Sequence, residues 1–431
     1  MVNFGGDEVA ALVVDIGTSS VRAGYAGDDT PKAIVPSSYG YMPVKDQDVV
    51  MGESNEPIAP KAKIYIGSSG PSIWRPGMEV ANPLTDGTIN DFHPITPLIR
   101  HALEDVLRCT PSEHPILVTE PTWNTPANRE RMAEIMFEEF HAPAFYIANT
   151  GVLNAFAAGK GSALVIDVGQ SMASVTPVVD GFVLRKAPKG LSYSQLPTLI
   201  HAHARHILTS HTSYRPAVDL IPRQLIANKA PVEPNALPRF TVREDRLPGT
   251  TNSWRMWAER REVDEWIQSV AGVLEQGWND QAAASRPLKQ YEFPTGFNTA
   301  FGHERFQVGE QFFWHSPQLA ASNPNLPKTI PSLITESLRA CDPELRQVLM
   351  GNVVLSGGMS LFAGFADRLN SELARSFQHV KIHAPGNTVE RRYGGWLGGS
   401  ILASLGTFHQ LWISKEEWQE HGRPIVAQRC K

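Results

Sequence analysis

Cysteine is scarce in this chain. Cys109, Cys341 and Cys430 are the three present in 431 residues, too few and too far apart for a disulfide framework or a zinc knuckle, which fits a reducing compartment. Positive charge is short as well: Lys+Arg number 39 against 44 Asp+Glu, a net charge of −5. That balance argues against a sequence-independent grip on nucleic acid, which needs a basic surface to displace counterions. No Lys/Arg run reads as an import signal, since Arg260-Arg261 and Arg391-Arg392 are only pairs. No apolar stretch is long enough to span a bilayer, so no membrane partner is expected. The apolar run at 9–14 follows Asp7 and Glu8 instead of a basic region and stops at Asp15, unlike a signal peptide. A Walker loop, a nucleophile elbow and a catalytic Cys/His pair are also missing.

What is present is an ordinary globular composition, 42% hydrophobic and 19% charged, enough for two or three packed cores. Its strongest internal signal is a repeat. Ala-Leu-Val-Val-Asp-Ile-Gly at 11–17 returns as Ala-Leu-Val-Ile-Asp-Val-Gly at 163–169. Each copy reads as a buried strand, a turn carrying Asp and Gly, and a second strand, at 21–25 and at 174–179. One α/β domain used twice would set the two hairpins facing each other across a cleft. Between them, Ile95, Leu98, Ile99, Ala102, Leu103, Val106 and Leu107 recur at helical spacing, a strand follows at 116–118, and a second helix starts near Asn124-Thr125 with Pro126 at its first position. Polar or Pro-rich stretches at 40–62, 215–251 and 316–331 read as loops or insertions. The 253–278 segment reads as helical, with Trp254, Trp257, Trp266 and Trp278 forming the core of a small domain.

An Asp-x-Gly turn offers several backbone N–H groups to a phosphate, and Gly permits the close approach. Thr18, Ser19 and Ser171 add hydroxyls, and Arg22 can neutralise phosphate charge. Asp15 and Asp167, meeting from opposite sides, suit Mg²⁺ or Ca²⁺ held through water. A third turn, Ser356-Gly357-Gly358, ends a strand and precedes a helix carrying Leu361, Phe362, Phe365 and Leu369 on one face; its glycines let backbone approach a flat base. The histidines at 201, 203, 206 and 211 lack a carboxylate or Cys at ligand spacing, so they are read as ordinary histidines.

Longer motifs add a resemblance. Arg22-Ala-Gly-Tyr-Ala-Gly-Asp-Asp29, Glu113-His-Pro-Ile-Leu-Val-Thr-Glu120, Ala127-Asn-Arg-Glu-Arg-Met132, Ser356-Gly-Gly358, Trp396-Leu-Gly-Gly-Ser-Ile-Leu-Ala-Ser-Leu405 and Trp412-Ile-Ser-Lys415 are similar to the actin family, whose fold sugar kinases and heat-shock chaperones share. Within it the likeness is to the nuclear actin-related proteins, through the motif at 5–9, Pro121-Thr-Trp-Asn-Thr125, Asn387-Thr-Val-Glu-Arg-Arg392 and Leu405-Gly-Thr-Phe408. The resemblance implies an α/β actin-like fold: two duplicated, ribonuclease-H-like α/β domains around a nucleotide cleft, each with an inserted smaller subdomain. Residues 1–39, 96–160 and 394–431 would form the first large subdomain and 40–95 its insert. Residues 161–198 and 288–393 would form the second, with 199–287 as its insert.

It implies ATP or ADP with Mg²⁺ or Ca²⁺, bound by Asp15, Gly17, Thr18, Ser19, Arg22, Asp167, Gly169, Gln170, Ser171, Gly357, Gly358, Leu361, Phe362 and Arg392. Arg22 stands for the family's phosphate lysine. The family's water-placing Gln falls at Thr150, and its His and Asp after the second turn fall at Ser174 and Gln170. No catalytic residue is therefore assigned, and hydrolysis is expected to be very slow, because phosphoryl transfer to water rests on positioning. The resemblance also implies a partner groove at Phe156, Leu402, Leu405 and Leu411, with 400–412 read as an amphipathic helix. Expected partners are actin, a helix of a remodelling ATPase or scaffold subunit, and histones or the nucleosome, in a nuclear, non-filament-forming scaffold of chromatin-remodelling and histone-acetyltransferase complexes. Sequence-specific nucleic-acid binding is not expected. The alternatives are a filament-forming actin-like ATPase of the cytoskeleton, against which Thr150 and the unmatched 40–62 stretch argue, and a small-molecule kinase, for which the chain supplies no catalytic Asp.

Overall fold

Both copies of the repeat fold into hairpins at the centre of a sheet. A computed structural model describes residues 10–43, 50–51, 57–58, 62–184, 192–213 and 215–431; the 5–9 motif and most of the 40–62 stretch lie outside the described residues. β1 (Leu12–Ile16) is buried throughout, as a central strand covered on both faces must be. It pairs antiparallel with β2 (Ser20–Tyr25), Asp15 opposite Arg22. β3 (Ala33–Pro36) alternates buried and exposed residues at the sheet edge. β4 (Ile116–Glu120) and β5 (Ala144–Asn149) add in parallel on the other side of β1, and Ile413–Ser414 closes that edge.

The second sheet repeats this plan. β6 (Ala163–Val168) pairs antiparallel with β7 (Ala173–Val179) and parallel with β10 (Val353–Ser356). β8 (Phe182–Val183) and β9 (Ser192–Ser194) flank β7, and β11 (Ile382–His383) flanks β10. Asp167 sits opposite Ser174 in β7 and beside Ser356 in β10. The register that faces Asp15 with a cation thus faces Asp167 with a hydroxyl.

Helices cover the sheets where the sequence provides clean starts. α1 (Ile95–Arg100) continues as a wider π-helical segment, His101–Val106. α2 (Pro126–Glu134) has Pro126 in its first turn, and Thr125 caps it by accepting the Asn128 N–H at 3.2 Å. α3 (Thr150–Ala157) packs against the later helix Gly394–Ser404. Gly398 makes that contact possible, because a Cβ there would lie 1.9 Å from the Leu153 carbonyl oxygen. The 400–412 segment is not one helix: the chain leaves helical geometry at Leu405, makes a 3₁₀ turn over Gly406–Gln410 and enters the strand at Ile413. Apolar content does not require helical continuity there, since Phe408 is buried from a turn and Trp412 from the residue before a strand.

Each half carries an inserted segment. The first contains a three-stranded sheet (Tyr39–Tyr41, Ile64–Tyr65, Glu79–Ala81) and a hairpin turning at Asp86-Gly87, both with positive φ, as such two-residue turns require. The second contains α4 (Leu196–Thr209), an exposed hairpin (Ile226–Ala230 with Arg239–Val242) and α5 (Asn252–Val270). The four tryptophans do not share one core. Trp266 is buried in the core of the second half, Trp254 and Trp257 meet residues of the first insert, and Trp278, beyond the end of α5, packs beside Leu274, Ala283 and Phe306. No helix among the described residues is long and apolar enough to cross a membrane.

Candidate functional site

The two hairpin turns meet at the floor of one cleft of about 1110 Å³ between the halves, large even for a small-molecule site. They touch directly: the Thr18 and Ser171 hydroxyls lie 2.9 Å apart. Both turns close in the same way, Gly17 N–H on the Ser20 carbonyl (3.1 Å) and Gly169 N–H on that of Met172 (2.9 Å). Among the described residues, nothing accepts from the backbone N–H groups of Thr18, Ser19, Gln170 or Ser171, which leaves adjacent donors at two facing turns for an anion.

The two aspartates differ. Asp15 is paired with Arg22 and accepts the Thr119 hydroxyl at 2.6 Å. Arg22 is held in turn by Ser20 Oγ at 3.1 Å and lies 5.3 Å over the Tyr393 ring. Among the described residues Asp167 has no such cation, and its carboxyl is pushed up to about 6, first by burial and then by the Asp15 charge, with Arg22 pulling the other way. Two carboxylates with one cation between them form a site short of positive charge. A divalent cation carrying its own waters would supply that charge, and Asp15 and Asp167 are the groups that would hold it. No group of three His, Cys, Asp or Glu side chains placed to hold a metal ion occurs among the described residues.

Above Asp167 the Ser356-Gly357-Gly358 turn comes close. A Cβ on Gly357 would sit 2.3 Å from the Val168 carbonyl oxygen and 2.4 Å from Asp167 Oδ1, and its φ is +92°. Only glycine fits. Arg392 neighbours Gly358, and Phe362, buried, meets Phe312 edge to face. Every residue assigned above to the ligand, from Asp15 to Arg392, lines this one cleft, and so do Thr150 and Ser174. Gln170 is engaged elsewhere: its amide donates to Asp264 Oδ2 at 3.1 Å, and the same carboxylate meets His201 Nε2. His201 thereby serves as a buried partner of α5.

The opposite wall comes from residues outside those assigned from the sequence. Trp257, Arg261, Glu262, Asp264, Glu265 and Gln268 of α5 line the cleft. Burial, then the neighbouring Glu265 charge, pushes Glu262 up to about 7. The spacing of 257, 261, 264, 265 and 268 marks one helix face, which reads as a solvated face when nothing says that it borders a cavity. Trp123, which also lines the cleft, stacks on Tyr193 at 4.8 Å and donates through Nε1 to the Asp86 carbonyl (2.8 Å), while the Asp86 carboxylate accepts from Gln195 Nε2 (2.6 Å).

The residues assigned to a partner groove lie outside this cleft. Leu405 and Leu411 are 47% and 44% exposed, beside Ile401 at 38%. Leu402 and Phe156 are half-buried, Phe156 close to Gly181.

Comparison with known proteins gives the arrangement a lineage. The family model described as Actin matches residues 6–431. The chain is 37% identical to actin-related protein 4 of Yarrowia lipolytica, with 99% of this chain and 97% of that protein covered. It is 38% identical to actin-related protein 4 of Gibberella zeae, over 99% and 97% of the two chains, and 34% identical to that of Arabidopsis thaliana, over 99% and 100%.

Proposed function

Since the chain belongs to the actin family, we propose that it holds ATP or ADP, with Mg²⁺ or Ca²⁺, as a structural ligand and acts as a nuclear, non-filament-forming scaffold subunit. On this reading it works beside actin in chromatin-remodelling and histone-acetyltransferase complexes. Actins bind nucleotide as a family, and the relatives matched are named actin-related proteins. What supports a clamp is the meeting of the two Asp-x-Gly turns, the Gly357 turn and Arg22 around one cleft.

The observation that carries the non-catalytic part is the chemistry beside the phosphate floor. Thr150 and Ser174 are short hydroxyl side chains where the family resemblance expects water-ordering groups, and Gln170 is bonded to Asp264. Phosphoryl transfer to water needs the attacking water placed in line. Without that placement, the free energy of binding goes into holding the two halves together. Leu405 and Leu411, apolar and exposed, are the residues offered to a helix of a remodelling ATPase or scaffold subunit.

The test is to load the purified chain with ATP and Mg²⁺, incubate, denature aliquots over hours and identify the released nucleotide. Retained ATP is expected. Steady conversion to ADP would defeat the structural-ligand reading in favour of an ATPase, and sedimentation with salt and magnesium would defeat the non-filament part. Purification from nuclear extract should bring actin and a remodelling subunit with it.

A further inference from the structure

We propose that Asp264 keeps this chain from hydrolysing a bound nucleotide by holding the Gln170 side chain against α5, away from the phosphate floor. The proposal rests on the nucleotide-binding reading above and concerns an activity latent in that same site. Gln170 stands in the second hairpin turn, between Gly169, whose N–H closes the turn, and Ser171, whose hydroxyl touches Thr18 of the first turn. Its backbone is therefore part of the floor. Its side chain is committed elsewhere, since the amide Nε2 donates to Asp264 Oδ2 at 3.1 Å.

Asp264 is itself fixed. Its other oxygen, Oδ1, meets Nε2 of His201, which is buried in α4. One half-buried carboxylate thus ties the second turn to two helices of the second insert. Contacts to an ionised group shielded from solvent are stronger than the same contacts in water. Gln170 Oε1, by contrast, receives no hydrogen bond among the described residues. The amide has one end held and one end unused.

Residue chemistry gives this hold its consequence. Around the two aspartates the cleft presents short hydroxyls at Thr18, Ser19, Thr150, Ser171 and Ser174. Gln170 is the one carboxamide in either turn. A carboxamide suits the placing of an attacking water, because its oxygen accepts from the water while its NH₂ donates to phosphate, and phosphoryl transfer gains much of its rate from such placement. Released from Asp264, Gln170 can swing from wall to floor by changing rotamer. In the step it would serve, a water oxygen bonds to the terminal phosphorus as the bond from that phosphorus to the bridging oxygen breaks. The bridging oxygen leaves with ADP, one water proton stays on the released phosphate and the other passes to solvent.

The test loads full-length wild type and variants with ATP and Mg²⁺ and follows phosphate release in a single turnover. Asp264→Ala is expected to hydrolyse at least about tenfold faster than wild type, the scale on which placing one reactant acts. Asp264→Asn, which offers Gln170 an oxygen and His201 an amide, should show no gain. Adding Gln170→Ala to Asp264→Ala should remove the gain. Retention of ATP by Asp264→Ala should not fall, because the change takes a negative charge off the cleft wall. Weaker retention with an unmoved rate per bound ATP would mark Asp264 as merely structural and overturn the proposal, as would an equal gain in the Asn variant or the double variant. If Asp264→Ala does not fold, Asp264→Leu, which fills the space and accepts no hydrogen bond, carries the same expectation. The ligand-free protein supplies a second measurement, by NMR of isotope-labelled glutamine amides. The resonance missing from Gln170→Ala should lie apart from the free-glutamine position in wild type and Asp264→Asn, and move to it in Asp264→Ala; a free-glutamine position in wild type overturns the hold. If wild type takes up no nucleotide, the clamp reading falls and the proposal with it, whereas ATP retained but not hydrolysed faster by Asp264→Ala overturns the proposal alone.

Discussion

Replacing Asp167 by Asn should make the ligand-free protein more stable and at the same time ruin its ligand site. In the empty cleft the Asp167 carboxyl is raised from 3.8 to about 6, by burial first and by Asp15 second. About two units at 1.36 kcal/mol each place the cost of keeping it charged at about 3 kcal/mol, trimmed somewhat by solvent in the cleft. The sign follows from proton linkage. Between pH 3.8 and about 6 the folded chain binds a proton that the unfolded chain has lost, so the cost grows with pH across that window, is complete above it and is absent below it. Asn carries no charge and avoids the cost. With an unfolding entropy of ~2.1 cal/mol/K per residue, 3 kcal/mol corresponds to a rise of about 3 °C in Tm for a chain of this length. Scanning calorimetry on chelator-treated protein at pH 7.5 should show that rise for Asp167→Asn, with the advantage roughly halved near pH 5. Adding Mg²⁺ and ATP should reverse the order, since the wild type gains stability by mass action, ~2.7 kcal/mol at a hundredfold excess over Kd, and the variant gains far less. A ligand-free variant that melts no higher than wild type at pH 7.5, or an advantage that does not shrink in acid, would refute the charge argument.

Gly357→Ala should abolish nucleotide retention and lower stability by several kcal/mol, because its Cβ meets the Val168 carbonyl and Asp167 within 2.4 Å at a φ of +92°; wild-type retention on a desalting column would contradict this. Leu405→Asp with Leu411→Asp should shift stability by no more than about 1 kcal/mol, both side chains being exposed, while recovery of the remodelling or scaffold subunit in a pull-down falls at least tenfold if these residues serve the partner helix. Arg368→Leu leaves Glu310, which accepts both guanidinium N–H groups at 2.7 Å in the buried core, without its cation, and should cost about 3–5 kcal/mol in urea unfolding; a loss below 1 kcal/mol would mean that the pair is not buried as described.

Much of the phosphate floor was legible in the linear chain, because its parts are local. A buried strand, an Asp-x-Gly turn and a second strand occupy about fifteen consecutive residues each time, and the repetition alone sets Asp15 and Asp167 at equivalent places. The cap at Thr125, with Pro126 after it, was equally readable. Three features were not. The α5 wall is polar at helical spacing, which describes a surface helix equally well until tertiary packing lays that face along a cavity. The break at Leu405 is invisible in the sequence pattern because apolar residues are buried from turns and strands as readily as from helices. Composition groups the tryptophans between 254 and 278 together, whereas packing distributes them among the contact between the inserts, the second core and a satellite cluster.

By itself, then, the sequence determined the duplicated turns, their carboxylates and glycines, and the short side chains at Thr150 and Ser174, since these follow from residue identity and near-neighbour spacing. Only the tertiary structure decided that Arg22 pairs with Asp15 and not with Asp167, that Gln170 is bound to Asp264, and that the two inserts meet at Met78 and Trp254. Those outcomes depend on which distant side chains share a desolvated space, and burial, not spacing along the chain, sets the energies of charges and hydrogen bonds there.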